Sequence, residues 1–220
     1  MEPVAQSHRV TAEAAFDLVH AEAARLLARP GRHVLGIAGG PGAGKSTLAQ
    51  ELVAALGSDA AHVPMDGFHM RQEKLEALGT AADKGMPHTF EGAAFAAFLT
   101  RLKDATGDEV APGYSRRIED VVEGAIAIPG ATRLLVTEGN YLLLTSAPWR
   151  PVRRLLDVAV FLDVPRDIVQ ARLLKRHAAE GLFTAARNHA HVERVDLANY
   201  DLVARSRSRA DIILELITTD

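Results

Sequence analysis

The 220-residue chain has no cysteine. That excludes a disulfide framework, a thiolate metal site and a cysteine nucleophile, and it fits a reducing compartment. Charge of one sign is equally lacking. Against 25 Lys and Arg stand 28 Asp and Glu, for a net charge of −3, so the basic footprint of a duplex-binding protein is missing and no nucleic-acid partner is expected. Any anionic ligand must then be held by a local cluster of cations. No apolar run approaches bilayer length, and the start Met1-Glu2-Pro3-Val4 has neither the basic region nor the apolar core of a signal peptide. The expectation is a cytoplasmic chain with no membrane partner. What is present is ordinary: 48% hydrophobic and 24% charged residues. This balance can bury a sizeable core and excludes disordered, collagen-like and disulfide-stapled classes. Length and the absence of a linker predict one domain over residues 1–220.

Apolar spacing predicts a helix over Thr11 to Arg29, with Thr11 as N-cap and Pro30-Gly31 as the stop. Its exposed face offers a surface for a homodimer. Strands are predicted at His33–Ala38, Ala61–Met65, Arg133–Thr137, Asp157–Leu162 and Ala210–Ile217. Helices are predicted at Lys45–Leu56, Arg71–Leu78, Glu91–Asp104, from Pro165 to about Ala179, and from His191 to about Ser206. A polar stretch from Glu180 to Asn188 is predicted to interrupt the last two. Alternating strands and helices with near-continuous apolar strands indicate an α/β fold, a parallel five-stranded sheet flanked by helices on both faces.

Between the first predicted strand and the helix after it lies Gly39-Gly40-Pro41-Gly42-Ala43-Gly44-Lys45-Ser46. This satisfies the phosphate-loop pattern G-x-x-x-x-G-K-[ST] in its required strand–loop–helix context. Glycines let the backbone wrap a phosphate chain with N–H groups inward, and the dipole of the following helix adds positive potential. Gly40, Pro41, Gly42, Ala43, Gly44, Lys45, Ser46 and Thr47 are the candidate nucleotide contacts. Lys45 would reach the outer phosphates and the Ser46 hydroxyl would ligate Mg²⁺.

Two acids end the second and third predicted strands, Asp66 in Met65-Asp66-Gly67-Phe68-His69 and Glu138 in Thr137-Glu138-Gly139-Asn140-Tyr141. The carboxyl ends of parallel strands form the ligand crevice of open α/β sheets. Either acid alone suits a turn, since Asp-Gly and Glu-Gly are common turn pairs. Two beside a phosphate loop point to proton transfer and metal binding.

With these stretches in view, the chain resembles the P-loop kinases of the uridine kinase, phosphoribulokinase and pantothenate kinase superfamily, nearest their nucleoside/nucleotide kinase-like, fructose-transport-associated branch. The resemblance rests on GGPGAGKST at 39–47, PMDGFH at 64–69, KGMPHTFE at 84–91, APGYSR at 111–116, EGNYLLL at 138–144 and FLDVP at 161–165, in the family's order. It implies an ATP- and Mg²⁺-dependent transfer of the γ-phosphate to a hydroxyl of a small molecule, with Asp66 as catalytic base and Ser46 and Glu138 at the metal. It further implies a small helical lid at about 172–190, whose Arg172 and Arg176 join Lys45 in stabilising the migrating phosphoryl group, with Lys175 and Arg187 nearby. Asp66, His69, Lys84, Tyr114, Arg116 and Tyr141 are the candidate acceptor contacts.

The resemblance is incomplete. Uridine kinases carry an aspartate shortly before the proline of the third stretch, where this chain has Lys84-Gly85-Met86, and a histidine soon after the tyrosine of the fourth, where it has Ser115-Arg116-Arg117. Lys84, Arg116 and Arg117 instead suit an acceptor bearing a carboxylate or phosphate. Two alternatives stay open: a nucleoside-monophosphate kinase, and a partner-gated P-loop ATPase without a small-molecule acceptor. Among nine histidines, His177, His189 and His191 bracket the lid. His189-x-His191 has ligand spacing, but the lack of cysteine and of nearby paired carboxylates argues against a dedicated transition-metal site.

Overall fold

The computed structural model describes residues 5–181 and 184–217. The Met1–Val4 start and residues 182–183 of the expected lid lie outside them. Six strands form one sheet in the order β1-β8-β7-β2-β6-β3, with every neighbouring pair parallel. They are β1 (Gln6–Val10), β2 (His33–Gly39), β3 (Ala60–Pro64), β6 (Leu134–Gly139), β7 (Val158–Asp163) and β8 (Ile212–Leu216).

Alternation along the strands builds two cores. Val34, Val63, Leu135, Phe161 and Ile213 face one side, where α4 (Gly92–Asp104) supplies Phe95, Phe98 and Leu99. Leu35, Ile37, Val136, Val160 and Leu214 face the other, covered by α1 (Ala12–Leu27), α2 (Lys45–Leu56) and α6 (Arg166–Glu180). Thr11 caps α1 as expected, its side chain accepting from the Ala14 N–H at 3.2 Å.

The sheet has one strand more than the sequence suggested. β1 is the edge, and its residues Gln6, Ser7, His8 and Arg9 carry no apolar signal. Main-chain pairing holds it, as between Gln6 N–H and the Asp211 carbonyl at 2.9 Å. A separate antiparallel hairpin, β4 (Glu109–Ser115) and β5 (Asp120–Ile128), was also not foreseen. Pro112 and Gly113 depress strand propensity there, and they accompany a register shift between Ala111 and Gly113. Short helices α3 (Gln72–Ala77) and α5 (Val152–Leu155) follow β3 and precede β7.

The expected polar interruption up to Asn188 is corrected. A helix α7 (Ala185–His191) begins inside it, with Thr184 Oγ1 accepting from the Arg187 N–H at 3.3 Å. From α7 the chain passes through a π-helical turn, Val192–Asp196, into α8 (Leu197–Ala204). Solvated residues on most sides of α7 conceal its period.

The hairpin packs on the turn that follows β3, and Gly67 is the reason it can. A Cβ there would lie 2.1 Å from the Pro112 carbonyl oxygen, a backbone clash that no rotamer relieves. Gly67→Ala is expected to lower stability by about 1–3 kcal/mol, read as a fall in Tm. An unchanged Tm would overturn this account of the contact.

Candidate active site

Strand order alone gathers the candidate groups. β6 lies between β2 and β3, with Glu138 opposite Ile37 on one side and Pro64 on the other. The phosphate loop, the Asp66 turn and the end of β6 therefore open onto one crevice, a cavity of about 1060 Å³.

The loop runs from Gly39 into α2, whose first helical residue is Lys45. Gly44 at the N-cap has φ +96°, a left-handed conformation natural to glycine. Lys45 Nζ donates to the Gly40 carbonyl and to Asn140 Oδ1, each at 2.8 Å. Its burial depresses its pKa, while the nearby carboxylates Glu138 and Asp66 act to raise it. Ser46 Oγ donates to Glu138 Oε1 at 3.1 Å. Burial works to raise the Glu138 pKa, but the His62 ring, the Lys45 ammonium and the Ser46 hydroxyl outweigh it and hold the carboxyl below its usual range. His62 Nε2 stands 3.6 Å from Oε1, an electrostatic contact rather than a hydrogen bond. Glu138 is thus a buried anion, and with Ser46 it offers the hard oxygen donors that suit Mg²⁺.

Across the cavity, Asp66 sits in the 3₁₀ turn Met65–Phe68 that follows β3. Its carbonyl oxygen is 2.8 Å from His69 Nδ1. A carbonyl only accepts, so Nδ1 is the donor. Burial lowers the His69 pKa, keeping the ring neutral. That ring lies between Phe90 and Tyr114, with centroids at 3.9 and 4.5 Å. Burial also raises the Tyr114 pKa, so its phenol stays a neutral donor. Lys84 Nζ lies 5.8 Å from the Tyr114 ring centre, donates to Gln72 Oε1 at 3.0 Å and also donates to the Glu119 carbonyl. Its hydrogen-bond partners among the described residues are therefore neutral. Arg116, in the hairpin turn, lines the same wall.

α6 brings Arg172 and Arg176 to the cavity together, one turn apart, and α7 brings Arg187. Arg172 Nη1 reaches within 3.5 Å of the Gly42 carbonyl. Lys175 is exposed outside the cavity lining.

One expected acceptor contact is placed elsewhere. Tyr141 is fully buried between Phe90 and Trp149, and its hydroxyl donates to the Gly85 carbonyl. It holds the Lys84 loop from behind, with no surface left for an acceptor. Within the phosphate loop the Ala43 methyl packs in the core and its N–H donates to the Gly40 carbonyl at 3.3 Å. Trp149 is a packing residue, buried, with Nε1 donating to the Pro87 carbonyl at 3.3 Å. Sequence reasoning passed over Asn140, although it lies two residues beyond Glu138 at a strand end. It also missed Asn199, which donates to the Gly85 carbonyl at 2.9 Å from α8. No local pattern marks Asn199.

A phosphate loop beside a doubly covered parallel sheet, with acids at adjacent strand ends, defines a P-loop phosphotransferase. The model of the phosphoribulokinase/uridine kinase family matches residues 34–220, and the chain belongs to that family. A Schizosaccharomyces pombe protein provisionally named a uridine kinase is 34% identical over 211 residues, covering 91% of this chain and 90% of its own length. The uncharacterised protein YggC of Escherichia coli is 33% identical over 205 residues, covering 90% and 84% respectively. A crystal structure from a Silicibacter species, provisionally named a fructose transport system kinase, superposes with a TM-score of 0.82 at 32% identity, covering 90% of this chain and 98% of that one. The protein is a small-molecule kinase that transfers phosphate to a hydroxyl. No helix among the described residues is long and apolar enough to cross a membrane.

Proposed function

We propose that this kinase moves the γ-phosphate of ATP, as its Mg²⁺ complex, onto a hydroxyl of a small metabolite that carries a carboxylate or phosphate. The observation that carries the acceptor class is the Lys84 ammonium. It stands at the cavity wall on two neutral oxygens and an aromatic face, it forms no ion pair with a carboxylate among the described residues, and Arg116 lines the same cavity.

The geometry supports the following division of labour. Backbone N–H groups of the loop and Lys45 bind the triphosphate. Ser46 and Glu138 would hold Mg²⁺, which, when bound, neutralises and orients phosphate oxygens. Asp66 accepts the proton of the attacking hydroxyl, within the wall formed by His69 and Tyr114. Arg172 and Arg176, on a lid spanning about 172–190 of a single kinase domain, set positive charge over the transferring group and exclude water.

An ADP-release screen with Mg·ATP tests the reading. The acceptors are ribonucleosides (uridine among them), hexoses, pentoses, their phosphates, and hydroxy acids including pantothenate. An anionic acceptor should give the highest kcat/KM. For that acceptor Lys84→Met should raise KM by about 10- to 150-fold, the weight of one charge-assisted hydrogen bond. A neutral nucleoside as best substrate, or an unchanged KM in the variant, would overturn the anionic assignment.

A further inference from the structure

The same cavity is lined by three side chains outside the set assigned to phosphoryl transfer. His177 Nε2 on α6 is 3.1 Å from Asp196 Oδ2. The His191 ring, at the end of α7, meets the His177 ring edge-on with centroids 5.5 Å apart. One ligand atom from each of the three lies within 4.8 Å of the other two. Asp196 is buried, and all three line the cavity.

The backbone brings this about. His191 and Asp196 are five residues apart, which on an α-helix would set them about 140° apart around the axis. The segment between them is the π-helical turn Val192–Asp196, in which the Leu197 N–H reaches back five residues to the Val192 carbonyl. The wider turn returns Asp196 to the side of His191. Such turns are frequent at functional sites. His189, the partner suggested by sequence spacing, is exposed and takes no part.

We propose that His177, His191 and Asp196 form a second cation site, specific for a divalent transition ion of the Zn²⁺ class. Two imidazoles with one carboxylate select such ions over Mg²⁺ or Ca²⁺ and leave coordination positions open to the cavity. Zn–N and Zn–O bonds of about 2.0–2.2 Å need ligand atoms about 3.4 Å apart. The His177–Asp196 pair meets this already, and rotation of the His191 side chain can close the remainder. The positive charge of Arg194 on the same wall is balanced by its pairing with Asp83 at 3.0 Å. An ion here would tie α6 to the α7–α8 segment and so fasten the lid helix to the body.

The site is independent of the kinase assignment, and its test reads metal directly. Untagged, chelator-stripped full-length protein is titrated with Co²⁺ and followed by visible d–d absorption, then challenged with Zn²⁺. The expected result is one Co²⁺ per chain, displaced by Zn²⁺. It should be retained in Glu138→Gln and His189→Ala, and weakened at least about 10–100-fold in His191→Phe and Asp196→Asn. Circular dichroism and Tm select variants that keep the native fold, His191→Gln replacing His191→Phe if the larger ring unfolds the chain. No saturable binding by the unmodified protein up to millimolar Co²⁺ would overturn the proposal. So would binding that survives both ligand changes, or that is lost with Glu138 or His189.

Discussion

Asp66→Asn should lower acceptor-dependent turnover by about 10²–10⁴-fold, the usual weight of a general base, while leaving affinity for Mg·ATP essentially unchanged. The amide keeps the size of the carboxylate and its place in the Met65–Phe68 turn, so packing against the hairpin is preserved. What it loses is the ability to take a proton. Single-turnover rates give the chemistry and equilibrium nucleotide titration gives the binding. Equal loss of both would sink the assignment of Asp66 as base. Retention of most of the activity would favour a nucleoside-monophosphate kinase, whose acceptor phosphate needs no base.

Lys45→Met should behave differently, lowering turnover by at least about 10²–10³-fold and weakening nucleotide binding as well. Lys45 Nζ sits between the Gly40 carbonyl and Asn140 Oδ1, a position from which it acts on the bound phosphates before and during transfer. Lys45→Arg should fail almost as fully. The planar fork of a guanidinium does not fit between two acceptors spaced for one ammonium. Because the Lys45 ammonium also helps to hold the buried Glu138 carboxyl ionised, the Tm of each variant is measured alongside. An Arg variant that turned over normally would show that charge alone, and not the placement of a single Nζ, is what the loop requires.

Much of this was legible in the chain itself. The phosphate loop was readable because a left-handed backbone at Gly44, a strand before it and a helix after it are local demands, each with its own residue signature. The five apolar strands and the main helices showed through their periods. Asp66 and Glu138 could be paired because parallel strands present their carboxyl ends on one edge.

Tertiary structure decided the rest, since it depends on which distant groups meet. β1 has no apolar pattern and exists because β8 offers it an edge. The hairpin carries Tyr114 and Arg116 to the cavity only because Gly67 lets Pro112 approach. Lys45 and Asn140 are 95 residues apart and share a hydrogen bond. Tyr141, which the motif placed at the acceptor, is sealed off by Phe90 and Trp149. His191 and Asp196 face one another through a turn whose five-residue pitch no spacing rule for α-helices reveals. Local sequence sets backbone preference and burial; the identity of a side chain's partners is set by the packing of elements far apart in the chain.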